Sequence, residues 1–233
     1  MRFGILAPMP SELRPVVKAF GLAKGRSGDL EGHVGTAGGA EVVATTTGIG
    51  IDLATAAVGR MLDRAEVDHV VVVGIAGGIG PSVAIGDLVV PKVVSDFPHR
   101  RGFTPAPLGD LDPAGEIVSS DEYGYPPETL AAFIDSGVVA VDMETVAVAA
   151  VCEARGVPWS AVRAISDRAD DDTVDTATLT MVNPDGSPKA GAALRHVLAH
   201  PGKIPGLAKL ARDATAAATT AARTAARAVT THT

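Results

Sequence analysis

Three carboxylates in this 233-residue chain each stand just beyond an apolar run. Glu12 follows "RFGILA" (2–7) by way of Met9, Pro10 and Ser11, Glu144 follows "VVAVD" (138–142) by way of Met143, and Asp167 follows "WSAVRAI" (159–165) by way of Ser166. A fourth run, "VDHVVVVGI" (67–75), passes into the glycine-rich stretch "GIAGGIG" (74–80). Carboxylates so placed can serve as general acid and general base. In open α/β sheets the ligand crevice lies beyond the carboxyl ends of the strands. If the four runs are parallel strands, three acids and a glycine-rich turn meet at one edge, and the convergence is the signal.

Each feature also has a plainer explanation. Glu12 and Glu144 sit in the first turns of helices, where an acid favours the dipole, and Asp142 is a candidate N-cap. Asp167 can cap the segment after it, with Asp170, Asp171 and Asp172 solvated. The glycines at 74–80 suit a tight strand-to-helix turn. "TTGIGIDL" (46–53) echoes a dinucleotide fingerprint but carries Leu53 in it, so no such cofactor is expected. The six histidines show no ligand spacing, and His196 and His200 lack the Glu of a zinc helix, so no metal is expected. The single cysteine, Cys152, excludes an internal disulfide and fits a reducing cytoplasm.

The elements that would carry these residues alternate. Strand patterns at 2–7, 40–47, 67–75, 86–94, 138–142 and 159–165 are interleaved with helical patterns at 11–20, 51–62 and 143–156. Continuous valine-rich strands followed by helices predict an α/β fold, a three-layer α/β/α sandwich with a mixed, mostly parallel central sheet. The segment 99–125, with three prolines and four glycines, reads as loop. Residues 1–206 form the expected catalytic domain. The Ala/Thr-rich tail, 207–233, reads as a helix that is exposed or packed on a partner, because it offers almost no large apolar side chain after Leu210.

Bulk properties narrow the partners. A net charge of −7 and only 3% aromatic residues argue against nucleic acid. The first ten residues are too short in apolar content for a signal peptide, and no run reaches the roughly 18 apolar residues of a membrane span. A cytoplasmic protein without membrane association is expected.

The segments "GILAPMPSEL", "TTGIG", "VVVGIAGGIGPSVAIGDLVVP", "IVSSDEY" and "VAVDMETVAVAAVCEARGVPWSAVRAISDRAD" occur in the order found in the nucleoside phosphorylase/nucleosidase superfamily. Over residues 1–175 the chain most resembles methylthioadenosine/S-adenosylhomocysteine nucleosidases and futalosine hydrolases. That resemblance implies a purine nucleoside substrate, no cofactor and a homodimer. It makes Glu12 the base that activates water and Asp167 the acid that protonates the purine at N7, steadied by Ser166. It makes Glu144 the carboxylate that holds the ribose hydroxyls, with Met143 packed beside it, and gives Gly77 a backbone contact to ligand. Tyr123 falls where a Phe stacks on the base, Gly124 replaces a larger residue beside it, and Met9 and Ile49 complete the substrate contacts.

Hexameric phosphorylases of this superfamily place an Arg and a Ser where this chain has Val72 and Ile75. Water is therefore the expected nucleophile, with His99, Arg100, Arg101 and Arg14 as the remaining candidate phosphate donors. The apolar Ile75, the short middle segment and the tail also resemble hopanoid-associated phosphorylases, which act on an adenosyl-lipid. A nucleoside-binding protein without catalysis is the third reading, and retention of both acid and base weighs against it.

Overall fold

Valines at 70–73 alternate between two apolar layers, which requires helices on both faces of the strand that carries them. In the computed structural model, which describes residues 1–122, 124–168, 183, 185, 187, 189 and 204–232, Val70 and Val72 join one core and Val71 and Val73 another. The first core is closed by α2 (Ile51–Arg64) and α4 (Thr145–Arg155). The second is closed by α1 (Pro10–Phe20) and α5 (Ile204–Thr231). A short helix, α3 (Pro127–Asp135), packs near the far edge through Phe133.

Between the layers the described residues form one sheet of eleven strands. β1 (Arg2–Ala7), β4 (Ala40–Thr46), β5 (His69–Gly78) and β11 (Trp159–Arg168) form its parallel centre. β2 (Ala23–Ser27) and β3 (Leu30–Ala37) extend one side as an antiparallel hairpin. On the other side β10 (Val138–Asp142) joins β9 (Glu116–Ser119), then β7 (Val93–Asp96) and β8 (Gly102–Phe103). β6 (Leu88–Val89) pairs with β11. The expected sandwich is present with its mixed sheet, in which the longest pairings, β5 with β11 and β1 with β4, are parallel.

One strand organises the rest. Along a single edge, β5 pairs in parallel with β1 from His69 to Val72, then antiparallel with β10 at Gly77 and Gly78. The carboxyl ends of β1 and β10 therefore point at each other across the four residues 73–76. Five residue steps separate the two paired stretches, roughly 16 Å at a strand rise of about 3.3 Å. The residues next in sequence after β1 and β10 are delivered into that opening.

The tail corrects an expectation. α5 is neither exposed nor reserved for a partner: Ala217, Ala221, Ala222, Ala225 and Ala228 are fully buried against the sheet. Alanine lets a helix axis approach closely, and its neighbours are as small. A Cβ on Gly109, which has φ of 55°, would lie 2.4 Å from the Ala228 carbonyl. The ring of His232 then stacks edge-on to Phe3 and His69, fastening the chain end to the start of β1.

Candidate active site

Glu12 is the third residue of α1, and β1 aims it into the opening. Its Oε2 accepts the Met9 N–H at 2.9 Å, closing the first helical turn. Its Oε1 accepts the Ile75 N–H at 2.8 Å, a donor on the edge of β5 that neither β1 nor β10 reaches. The carboxyl is only 2% exposed. Desolvation pushes its pKa from 4.5 to about 7, against the lowering pull of Arg163 and the two N–H groups.

Glu144 arrives from the other side, at the N-cap of α4. It does not serve the helix dipole. Asp142 Oδ1 accepts the N–H groups of Glu144 and Thr145, and Ser119 Oγ accepts that of Val146. With the helix end satisfied by its neighbours, the Glu144 side chain turns inward. Its Oε1 accepts the Gly50 N–H at 3.1 Å and its Oε2 lies 3.4 Å from Arg163 Nη2. Burial pushes this carboxyl up to about 8, with Arg163 opposing and the charges of Asp142 and Glu12 adding to the rise.

Arg163 binds the two acids into one cluster, and sequence reasoning assigned it no role. It is fully buried in the middle of β11. Nη2 pairs with Asp142 at 2.8 Å and donates to Thr145 Oγ1 at 2.9 Å, while Nη1 lies 3.9 Å from Glu12 Oε1. Desolvation would lower its pKa, but Asp142, Glu144 and Glu12 outweigh that and hold it above the ordinary value. Nη1 has no hydrogen-bond partner among the described residues. A buried guanidinium N–H without an acceptor is costly, so this donor is suited to a water or ligand atom beside Glu12. The signal was legible: a lone charge in "AVRAI" stands where only a paired one is stable.

Asp167 is aimed by an irregularity. β11 pairs with β5 in step until Ile165 meets Ala76, after which Asp167, not Ser166, meets Gly77. The extra residue is a β-bulge at Ser166, and it puts Asp167 on the side where Gly77 has no side chain. A Cβ on Gly77 would lie 3.6 Å from Asp167 Oδ2. Ser166 donates to Asp167 Oδ1 and also reaches the Ala76 carbonyl at 3.4 Å. Asp167 is half-buried, at the rim of the opening.

The glycine-rich stretch is not the expected strand-to-helix turn. Gly74, Gly77 and Gly78 belong to β5 itself, and what they supply is room. A Cβ on Gly74 would fall 2.2 Å from Glu12 Oε1 and 2.7 Å from Arg163 Nη1.

Of the other expected contacts, Met9, Ile49 and Met143 are half-buried beside Glu12, Gly50 and Glu144 respectively, while Gly124 is exposed in a turn with φ of 78°. Tyr123 lies outside the described residues, as do Asp170, Asp171 and Asp172. The loop before Tyr123 is tied to the site by Asp121, whose Oδ1 accepts the Ile51 N–H at 2.8 Å beside Gly50. Of the candidate phosphate donors, Arg100 pairs with Glu116 at 2.8 Å, Arg101 lies over the Phe103 ring, and Arg14 and His99 are exposed. Val72 is sealed in the core.

This arrangement can be set beside known proteins. The chain is 28% identical over 204 residues to 5′-methylthioadenosine/S-adenosylhomocysteine nucleosidase of Shewanella oneidensis, covering 74% of this chain and 86% of that one. Its fold superposes on the Neisseria meningitidis nucleosidase of the same name, in complex with methylthio-immucillin-A, with a TM-score of 0.71 over 98% of both chains at 20% identity. Native futalosine hydrolase of Helicobacter pylori gives 0.68 at 22% identity, over 96% of this chain and 94% of that one. The family model of the phosphorylase superfamily matches residues 2–135 and 114–199, segments that contain all three acids, Arg163 and the bulge. The chain belongs to the phosphorylase superfamily.

Proposed function

We propose that this protein hydrolyses the N-ribosidic bond of a purine nucleoside of the methylthioadenosine/S-adenosylhomocysteine type, releasing the free base and a ribosyl sugar. The observation that carries the proposal is Glu12: a buried carboxyl with a pKa near 7, held by two backbone N–H groups beside the unpartnered Nη1 of Arg163. A general base works best when its pKa lies near the operating pH. The names of the relatives support the same substrate class.

In the proposed reaction Asp167 gives its proton to N7 of the purine as the bond from C1′ to N9 lengthens and its electron pair moves into the base. Positive charge develops on the ribose, as in other glycosyl transfers. The Glu144 carboxylate holds the ribose hydroxyls and fixes the sugar. Water oriented by Glu12 and Arg163 Nη1 adds to C1′, and its proton passes to Glu12. The acid and base return to their starting states when the two protons exchange with solvent.

Electrostatics favour water over phosphate. The one cation in the cluster already faces three carboxyl groups, so an incoming dianion would find no uncommitted positive charge there. Phosphorolysis would call for donors that Val72 and Ile75 cannot supply. A product assay on methylthioadenosine, S-adenosylhomocysteine, futalosine and adenosine, with and without phosphate, tests the proposal. Free base plus free ribosyl sugar, independent of phosphate and lost in Asp167→Asn, is the expected result. Ribosyl 1-phosphate formed only when phosphate is present would overturn it. The proposal includes a cytoplasmic homodimer, on the strength of the family resemblance, and sedimentation velocity checks the dimer. Among the described residues no helix is long and apolar enough to cross a membrane.

A further inference from the structure

α1 and α5 lie side by side and run the same way: α1 leaves the carboxyl end of β1, and the residue after α5, His232, meets Phe3 at the start of β1. Between them is an open groove of about 760 Å³ that the proposed chemistry does not use. Its lining includes Arg14 and Lys18 from α1 and Arg223 and Arg227 from α5 and, among the described residues, contains no carboxylate. This is a concentration of positive charge on a chain whose net charge is −7. Among the described residues Arg14, Lys18 and Arg223 make no ion pair, and Arg227 has only the exposed Asp110, at 3.7 Å.

The spacing is regular. Positions 14 and 18 are one helical turn apart, as are 223 and 227, which sets each pair roughly 6 Å apart along its helix. Helices in contact lie about 8–10 Å apart, so the four cations frame a patch of a size that one compact polyanion can span. The threonines add little. Thr215 and Thr219 already donate their hydroxyl hydrogens to carbonyls of α5, at 2.7 and 2.8 Å. Recognition therefore falls to the charged groups. None of the large exposed apolar side chains, Met1, Leu53, Ile85, Leu88 and Ile134, belongs to either helix, so the concave face has nothing to insert into a lipid layer.

We propose that the groove between α1 and α5 binds a small polyanion of the polyphosphate type, a di- or triphosphate group, at a site separate from the nucleoside-cleaving chamber. Four clustered cations repel one another, and a ligand with three or more negative charges relieves that repulsion as it binds. Such a ligand also raises the melting temperature, because it binds only the folded chain.

The test is titration calorimetry of the purified protein with sodium tripolyphosphate at low ionic strength, repeated as sodium chloride is raised. Saturable binding that weakens steadily with salt is expected. Arg223→Gln with Arg227→Gln should weaken it at least tenfold while the melting temperature of the unliganded protein holds. Arg14→Gln with Lys18→Gln repeats the test on the other helix should the first pair disturb folding. A parallel arm sediments the protein with vesicles of phosphatidylcholine containing phosphatidylglycerol. Absence of tripolyphosphate binding, an unchanged affinity in both double variants, or binding to anionic vesicles alone would each overturn the proposal.

Discussion

Glu12 and Arg163 carry opposite burdens within one buried cluster. Glu12 must be ionised to accept a proton, and burial sets its pKa near 7. As pH falls through that value the base is neutralised, so kcat/KM is expected to fall tenfold per pH unit on the acid side, with an apparent pKa near 7. Glu12→Gln should remove this limb and lower kcat by about 10²–10⁴, the usual worth of a positioned base. Arg163 contributes differently, by compensating charge. Arg163→Met leaves Asp142 and Glu144 buried without their cation, and breaking a buried pair in this way costs about 3–5 kcal/mol. Urea denaturation of that variant should show the loss directly, together with a collapse of activity.

At the scale of elements, β5 is shaped by what it must leave empty. Gly74→Ala adds one methyl where Glu12 Oε1 already stands. The extended backbone accepts alanine, so the protein should fold, destabilised by about 1–3 kcal/mol through overpacking. Turnover is expected to fall at least a hundredfold as the base is displaced, with circular dichroism unchanged. The strands that shape the opening were legible in the sequence because they are short runs of apolar and β-branched residues: β1, β4, β5, β10 and β11 all stand close to where their patterns predict. β9 was not. Its four residues, Glu116–Ser119, lie within a stretch of prolines and glycines that reads as loop, yet they pair between β10 and β7. The β2–β3 hairpin was hidden by its glycines and lack of an apolar run. At the site, the three acids were found by their positions after strands. Asp142 was legible as a cap for α4, whereas Ser119 and Asp121 were not found, because a residue that holds another in place carries no signature of its own. The bulge at Ser166 was beyond reach too, since register is a property of two strands and not of one.

At the scale of the whole molecule, the burial of α5 shows how far side-chain size misled the reading. Alanine contributes little apolar area, but a helix faced with alanine can settle close to the sheet, and this one closes an entire layer. Its far end depends on histidine chemistry. His69 accepts burial against Phe3, Ser160 and His232, and desolvation, with His232 adding, lowers its pKa from 6.5 to about 4. A group depressed in this way binds fewer protons folded than unfolded, so its stabilising contribution is lost as pH falls from 6.5 towards 4. The difference amounts to roughly 3 kcal/mol at about 1.36 kcal/mol per unit. Glu12 and Glu144 slope the other way, losing stability as pH rises from 4.5 towards 7 and 8. The His69 effect is therefore read against a variant: between pH 6.5 and 4 the parent protein should lose more stability than His69→Asn in paired thermal melts. The same centralised construction governs motion. Ile75 anchors Glu12, Gly74 stands opposite Arg163, Gly77 opposite Asp167, and Gly77 with Gly78 hold the strand that presents Glu144. Asp167, Glu12 and Glu144 all take their coordinates from five consecutive residues, 74–78. When the sheet breathes, these groups are therefore expected to travel together, so that fluctuation shifts the whole constellation more than its internal distances.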